Sequence, residues 1–319
     1  MRAAVLRRPG AAPVLAEHPD PAAGEVLVRV TAAPVVPLDL LCASGTSYFG
    51  RPAVPYVPGV QGVGVVEGGA GPAPGTRVWF ATRAGMAPGD GSLAERCAMP
   101  GQDVVPLADG VGDEVAAAVG LSGVAAWMAL SWRGALQPGE RVLVLGGGGA
   151  VGQAAAGAAR VLGAARVVSL CRSEAAAARA RRAGADAVVR LDGDEAALAA
   201  ALRDALHGPA DVVVDPVFGP AAAAACRALA PGGRLVNLGG ASGDTAVLSS
   251  AVLRSAGAGV LGYTNNALSP AQRARALTDV LAAAARGDVV VEHEVAALDA
   301  VGAAWASTAA GGTRTVLRP

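Results

Sequence analysis

The stretch that says most about chemistry in these 319 residues is Val142-Leu143-Val144-Leu145-Gly146-Gly147-Gly148-Gly149-Ala150-Val151-Gly152, which carries no ionisable side chain. An apolar run breaks into glycines and resumes at once with helix-forming residues. Gly147, Gly149 and Gly152 fit G-x-G-x-x-G, in which the first glycines let backbone approach a pyrophosphate and the last lets a helix pack on its strand. A helix starting at Ala150 and Val151 presents free N–H groups and its positive dipole end to that anion. With 44 glycines in the chain, chance matches to this spacing are expected, so the surroundings decide. Apolar residues follow at helical intervals (Val151, Ala155, Ala158, Leu162), and Arg166–Leu170 reads as the next strand, completing a βαβ unit. Where an NAD site carries an acidic residue for the ribose 2′-hydroxyl, this strand ends in Arg172 and Ser173. A guanidinium fork and a hydroxyl suit a 2′-phosphate, so the expected cofactor is NADPH; the competing reading is a solvated arginine opening a helix. Leu238 and Gly239, ending a later strand, are expected beside the nicotinamide ribose, because ligands of such sheets sit outside the carboxyl ends of the strands.

Other chemistries are excluded by what is missing. The sequence has no lysine, so all 26 basic residues are arginine, and Schiff-base and P-loop mechanisms have no nucleophile or phosphate ligand to use. Cys42, Cys97, Cys171 and Cys226 are scattered, and His18, His207 and His293 make no metal-binding spacing with them. Buried reduced thiols are expected, not a disulfide framework or a zinc site. Formal charge is zero and no basic block stands out, which argues against a nucleic-acid partner. No run reaches about 18 uninterrupted apolar residues, and the opening segment lacks the apolar core of a signal peptide, so the expectation is a cytoplasmic protein with no membrane partner.

The elements that must position these residues follow from periodicity. Residues 1 to about 112 alternate in short segments between Gly/Pro turns (Glu25–Thr31, Gly62–Val66, Arg77–Ala81), the texture of a small β-barrel. A helix opens at Asp113-Glu114 and continues unbroken from Val115 to Leu130. Strands and alanine-rich helices then alternate from Arg141 to Leu238, which predicts a doubly wound parallel Rossmann sheet over 116–259. One more apolar strand, a helix over Pro270–Ala285 and a terminal strand at Thr315–Leu317 return the chain to the first domain, assigned 1–115 and 260–319. The fold class is α/β, one domain inserted in the other.

This order resembles the medium-chain dehydrogenase/reductase superfamily, in its zinc-independent quinone oxidoreductase and enoyl reductase branch, whose barrel is GroES-like. The resemblance covers almost the whole chain. It is carried by Pro34-Val35-Val36-Pro37-Leu38-Asp39 with Ser44-Gly45-Thr46, Pro58-Gly59-Val60-Gln61-Gly62-Val63-Gly64, Gly91-Ser92-Leu93-Ala94-Glu95, Leu121-Ser122-Gly123-Val124-Ala125-Ala126-Trp127, the glycine turn, Ala183-Gly184-Ala185-Asp186, Asp215-Pro216-Val217, Gly232-Gly233-Arg234 and Thr315-Val316-Leu317-Arg318-Pro319. In zinc-dependent relatives a cysteine and a histidine stand where this chain has Val36 and Val60, and a glutamate where it has Gln61, so no metal is expected. The resemblance then implies hydride transfer from NADPH to the β-carbon of an enone or enoyl group, or to a quinone. Relatives carry asparagine in place of Val36 and threonine in place of Ala125, so the pocket here is more apolar than theirs. Tyr48 falls near the active-site tyrosines of the family, and Tyr263 and Asn265 fall where relatives place groups beside the nicotinamide; packing competes with both roles. Phe49, Tyr56 and Trp79 either wall a flat apolar substrate or fill the core. Relatives pair through their last Rossmann strand, which predicts a homodimer formed by Val260-Leu261-Gly262-Tyr263. The rival readings are a zinc-less carbonyl reductase or alcohol dehydrogenase and a noncatalytic NADPH-binding protein.

Overall fold

The computed structural model describes residues 1–22 and 25–319, which fall into two units: Met1–Gly120 with Glu292–Pro319, and Leu121–Val291. In the first unit β1 (Arg2–Val5) and β2 (Val14–Glu17) form an antiparallel pair. β3 (Val26–Pro34) buries Val26, Val28 and Val30 on one face, the period of two expected of a half-buried strand. After the short helix α1 (Pro37–Ser44) come β4 (Gln61–Gly68), β5 (Arg77–Ala81), β6 (Arg96–Met99) and β7 (Val104–Pro106). The strands β3, β4, β5 and β7 pair in that order, all antiparallel, and β6 also pairs β3. Trp79, Phe80, Leu6, Leu93 and Met99 are fully buried in this unit, and Tyr56 is buried with them. Tyr56 and Trp79 are therefore core and do not wall a substrate. Phe49 is half-buried, its ring 4.1 Å from that of Tyr48.

The helix α2 (Asp113–Met128) begins where Asp113 accepts from Thr31 Oγ1 and from Arg77 Nη2, both at 2.6 Å. It is not the unbroken helix that its composition predicts. Gly120 leaves helical geometry (φ 15°, ψ −122°), and a Cβ there would lie 2.0 Å from Gln61 Oε1 and 2.8 Å from Trp79 Nε1. Close approach of two buried polar side chains forces glycine and the kink, and this is where the chain leaves the first unit. Asp113–Arg133 is long and apolar enough by length and composition to cross a membrane; 72% of its apolar window is buried within the structure, as in a core helix.

The second unit runs β8 (Arg141–Leu145), α3 (Ala150–Val161), β9 (Arg166–Cys171), α4 (Glu174–Arg182), β10 (Ala187–Arg190), α5 (Glu195–Leu206), β11 (Ala210–Asp215), α6 (Gly219–Arg227), β12 (Leu229–Asn237), α7 (Ser250–Ala256), β13 (Gly259–Gly262) and α8 (Pro270–Ala285). The strands are all parallel in the order β10-β9-β8-β11-β12-β13, so the winding reverses between β8 and β11. Val142–Leu145 is buried on both faces, which is why the strand reads as a continuous apolar run. The unit extends past the predicted limit at residue 259. Val260 pairs with Leu235, and the turn after α8 sits so close to α3 that a Cβ on Gly157 would lie 2.3 Å from the Asp288 carbonyl oxygen. The chain returns to the first unit only at Glu292, adding β14 (His293–Ala297), α9 (Val301–Ala309) and β15 (Arg314–Arg318), with β15 between β14 and β3.

Candidate functional site

At the end of β8, Gly146 turns the chain with φ 63°, and Gly147 N–H donates to the Leu170 carbonyl of β9 at 3.1 Å. A Cβ on Gly147 would lie 2.4 Å from Ser169 Cβ, and one on Gly152 would lie 2.3 Å from the Gly146 carbonyl oxygen. Glycine at those two positions is thus demanded by contact with β9 and by closure of the turn on α3. Side chains cap α4, α5, α7 and α8: Ser173, Asp194, Ser249 and Ser269 accept the N–H of Ala176, Ala197, Val252 and Gln272. The N-cap of α3 is Gly149, which offers no side chain. The first N–H groups of that helix, on Ala150, Val151 and Gly152, are left for an anion. The turn is pinned from outside by Gln153 Nε2 and Arg179 Nε, which donate to the Gly148 carbonyl at 3.0 and 2.9 Å.

Arg172 and Ser173 are exposed at the tip of β9. The Ser173 hydroxyl caps α4, accepting from Ala176 N–H at 3.2 Å, and its proton is still available to a phosphate oxygen. Arg190, which the glycine-turn pattern does not single out, lies beside this tip: its Nη2 donates to the Arg172 carbonyl at 2.8 Å. Its position as the last residue of the next strand is the signal that marks it.

Across the winding reversal, Leu238 N–H donates to the Asp215 carbonyl at 2.9 Å, and Asn237 Nδ2 donates to the Gly239 carbonyl at 2.9 Å and to Asp215 Oδ2 at 3.2 Å. A Cβ on Gly239 would lie 2.8 Å from the Pro216 carbonyl oxygen, so the backbone is held tight there. Asp215 Oδ1 accepts from Val217 and Phe218 N–H at 3.0 and 2.7 Å and holds Phe218 at φ 55°, a region that favours glycine. Burial raises the Asp215 pKa against those hydrogen bonds. Just after β13, the Tyr263 hydroxyl donates to Asn265 Oδ1 at 2.6 Å, and Asn265 Nδ2 donates to the Leu121 carbonyl at 3.1 Å. The ring of Tyr263 meets Trp132 edge-on at 6.3 Å. Its proton is committed to Asn265, and burial pushes the phenol pKa well above its ordinary value. Ala125 is buried and offers no polar atom from its side chain.

In the first unit one carboxylate gathers the two positions at which zinc-dependent relatives would bind metal. Asp39, 1% exposed, accepts Val36 N–H on Oδ2 at 2.8 Å and Val60 N–H on Oδ1 at 2.9 Å. Burial pushes its pKa up to about 6, against those N–H bonds and the nearby charge of buried Arg314. Arg314 Nη1 donates to the Ala118 carbonyl at 2.8 Å. Val36 and Val60 have no donor atom to offer, and among the described residues no group of three His, Cys, Asp or Glu side chains is disposed to hold a metal. The residues present do not fit a zinc ion there. Tyr48 is 77% exposed, its ring tilted by 38° against that of Phe49.

The profile of the alcohol dehydrogenase GroES-like domain matches residues 22–109, and that of the zinc-binding dehydrogenase matches residues 150–283. The chain is a medium-chain dehydrogenase/reductase. Its relatives place it in the quinone oxidoreductase branch of that superfamily. It is 32% identical to human quinone oxidoreductase over 162 residues, 50% of this chain and 46% of that one. It is 31% identical over 274 residues to a phenolphthiocerol/phthiocerol polyketide synthase chain of Mycobacterium tuberculosis, 85% of this chain and 12% of that one. The matches thus span less than half the length of these relatives. Among solved structures, mycobacterial Rv1454c complexed with NADPH superposes over the whole of both chains with a TM-score of 0.88 at 24% identity, which shows a shared fold.

Proposed function

We propose that the protein is an NADPH-dependent reductase of activated C=C bonds or quinones that works without zinc. The observation that carries the cofactor choice is the tip of β9, where Arg172, Ser173 and Arg190 converge and no carboxylate takes the position of the acidic ribose ligand. The pyrophosphate falls to the glycine turn and the open end of α3, and Leu238 and Gly239 hold the nicotinamide ribose. NADPH, when bound, supplies the hydride. The chain's own residues bind and orient the reactants. Tyr48 presents a free phenol that donates to the carbonyl oxygen of the acceptor and protonates the enolate after hydride addition. Tyr263 and Asn265, bonded to each other, form a rigid wall and not a proton source. Valine at positions 36 and 60 favours the zinc-free route, since it leaves a Lewis-acid mechanism without ligands.

The test is NADPH and NADH oxidation by purified protein against a panel of quinones and enones, with and without chelator, together with metal analysis. The expected result is NADPH-preferring turnover of at least one acceptor that survives chelator, with zinc well below one ion per chain. Turnover that needs stoichiometric zinc, or NADPH bound but never oxidised across the panel, overturns the reading, the second outcome favouring a noncatalytic binder.

A further inference from the structure

At the tip of β9 one charged group has no part in the NADPH reading. Glu174 opens α4 directly after Arg172 and Ser173, and its two oxygens divide between two arginines. Oε1 accepts from Arg181 Nη1 at 2.8 Å, and Oε2 lies 3.6 Å from Arg190 Nη1. The other arm of Arg190 donates to the Arg172 carbonyl at 2.8 Å. Parallel register sets Arg190 beside Cys171, the last residue of β9, so the guanidinium lies between the strand tip and the Glu174 carboxylate. The two arginines hold the Glu174 carboxyl below its ordinary range, Arg181 more strongly than Arg190.

An anion arriving beside Arg172 therefore meets three guanidinium groups and one resident carboxylate. That carboxylate neutralises Arg181 and Arg190, the cations a phosphate would recruit, and repels a phosphate dianion at short range. A cofactor without the 2′-phosphate brings no such charge. We propose that Glu174 is an internal competitor for the 2′-phosphate: it holds Arg190 until phosphate displaces it, and Arg190 then joins Arg172 in the grip. The proposal rests on the NADPH reading and adds to it a device that limits discrimination between NADPH and NADH. Because Glu174, Arg181 and Arg190 are all exposed, the competition is strongest at low ionic strength and fades as salt screens it.

Isothermal titration with NADPH, NADH, 2′,5′-ADP and 5′-AMP tests this without catalysis. Glu174→Gln is expected to tighten NADPH and 2′,5′-ADP roughly 3- to 10-fold at low salt, the scale of one exposed charge contact, and to leave NADH and 5′-AMP unchanged. Arg190→Gln is expected to loosen the two phosphorylated ligands about tenfold, as for one charged hydrogen bond, and to cancel the gain from Glu174→Gln in the double variant. Both substitutions are at exposed positions, and thermal melts confirm that the variants fold. Tightening of all four ligands alike, no tightening of 2′,5′-ADP, or equal loosening of all four by Arg190→Gln overturns the proposal. If Arg172→Ala selectively weakens the phosphorylated ligands while Glu174→Gln changes nothing, the NADPH reading stands and only the competitor falls. A parent protein that binds 5′-AMP but not 2′,5′-ADP overturns both.

Discussion

Of the three tyrosines, Tyr48 alone presents its phenol to solvent; Tyr56 is core and Tyr263 is bonded to Asn265. That distribution narrows the search for a proton donor to one residue, because a phenol already donating to a neighbour cannot also donate to a substrate without breaking that bond. Tyr48→Phe keeps the ring against Phe49 and removes only the hydroxyl. Turnover with the best acceptor should fall on the order of 10²-fold, as when one oxyanion donor or general acid is lost, with the dissociation constant for NADPH unchanged. Steady-state kinetics with a parallel binding titration checks this, and unaltered turnover assigns Tyr48 to packing. Arg172 and Arg190 differ in how visible they are in a sequence. The first sits where an acidic residue is expected, so its chemistry is conspicuous; the second acquires meaning only when two strands lie side by side.

Asp39 shows what an element-scale view adds, since its carboxylate ties the N-terminus of α1 to the start of β4 through Val36 and Val60. Its pKa rises from an ordinary 3.8 to about 6, so between those values the folded protein binds the proton more tightly than the unfolded chain does. The stability this group contributes is full below about pH 4 and is lost as pH rises through 6. The loss amounts to about 3 kcal/mol, because a tenfold difference in proton affinity between the two states is worth about 1.36 kcal/mol. In denaturant titrations the stability of the parent should therefore fall relative to Asp39→Asn between pH 4 and pH 7 by up to that amount, because the amide does not titrate. Parallel pH profiles of parent and variant would remove Asp39 from this role. Period and glycine punctuation made β3, β5, β8 and α8 legible, α8 to its end residues, and they made the glycine turn legible too. What stayed hidden has local causes. β2 and β14 lie half-exposed with no buried alternating face, α7 is too short for a stripe, and the kink at Gly120 comes from Gln61 and Trp79, distant in sequence. The second domain boundary lies later than the sequence predicts, because nothing in the order of β13 and α8 reveals that β13 pairs β12 and that α8 packs on α3.

On the scale of the molecule, β13 ends the parallel sheet as an edge strand whose outer hydrogen-bonding side has no partner strand among the described residues, and Val260 on it is 37% exposed. An apolar open edge invites pairing with a second copy. We propose a homodimer joined there, and Val260→Asp should shift the protein from dimer to monomer in sedimentation at micromolar concentration; a parent that already sediments as a monomer sinks the idea. The placement of the cysteines carries a consequence of another kind. All four are buried, two in each unit: Cys42 and Cys97 in the first, Cys171 and Cys226 in the second. Burial pushes the Cys42 and Cys226 thiols up to about 12 and 11, so none of this sulfur is poised to react in the native state. The chain thus carries its own pair of stopwatches. Pulsed alkylation read by mass spectrometry times the opening of each unit separately, and NADPH at 100 times its dissociation constant should slow labelling of Cys171 and Cys226 by up to about 100-fold while Cys42 and Cys97 keep their original pace. Equal slowing of all four would mean that the two units open as one.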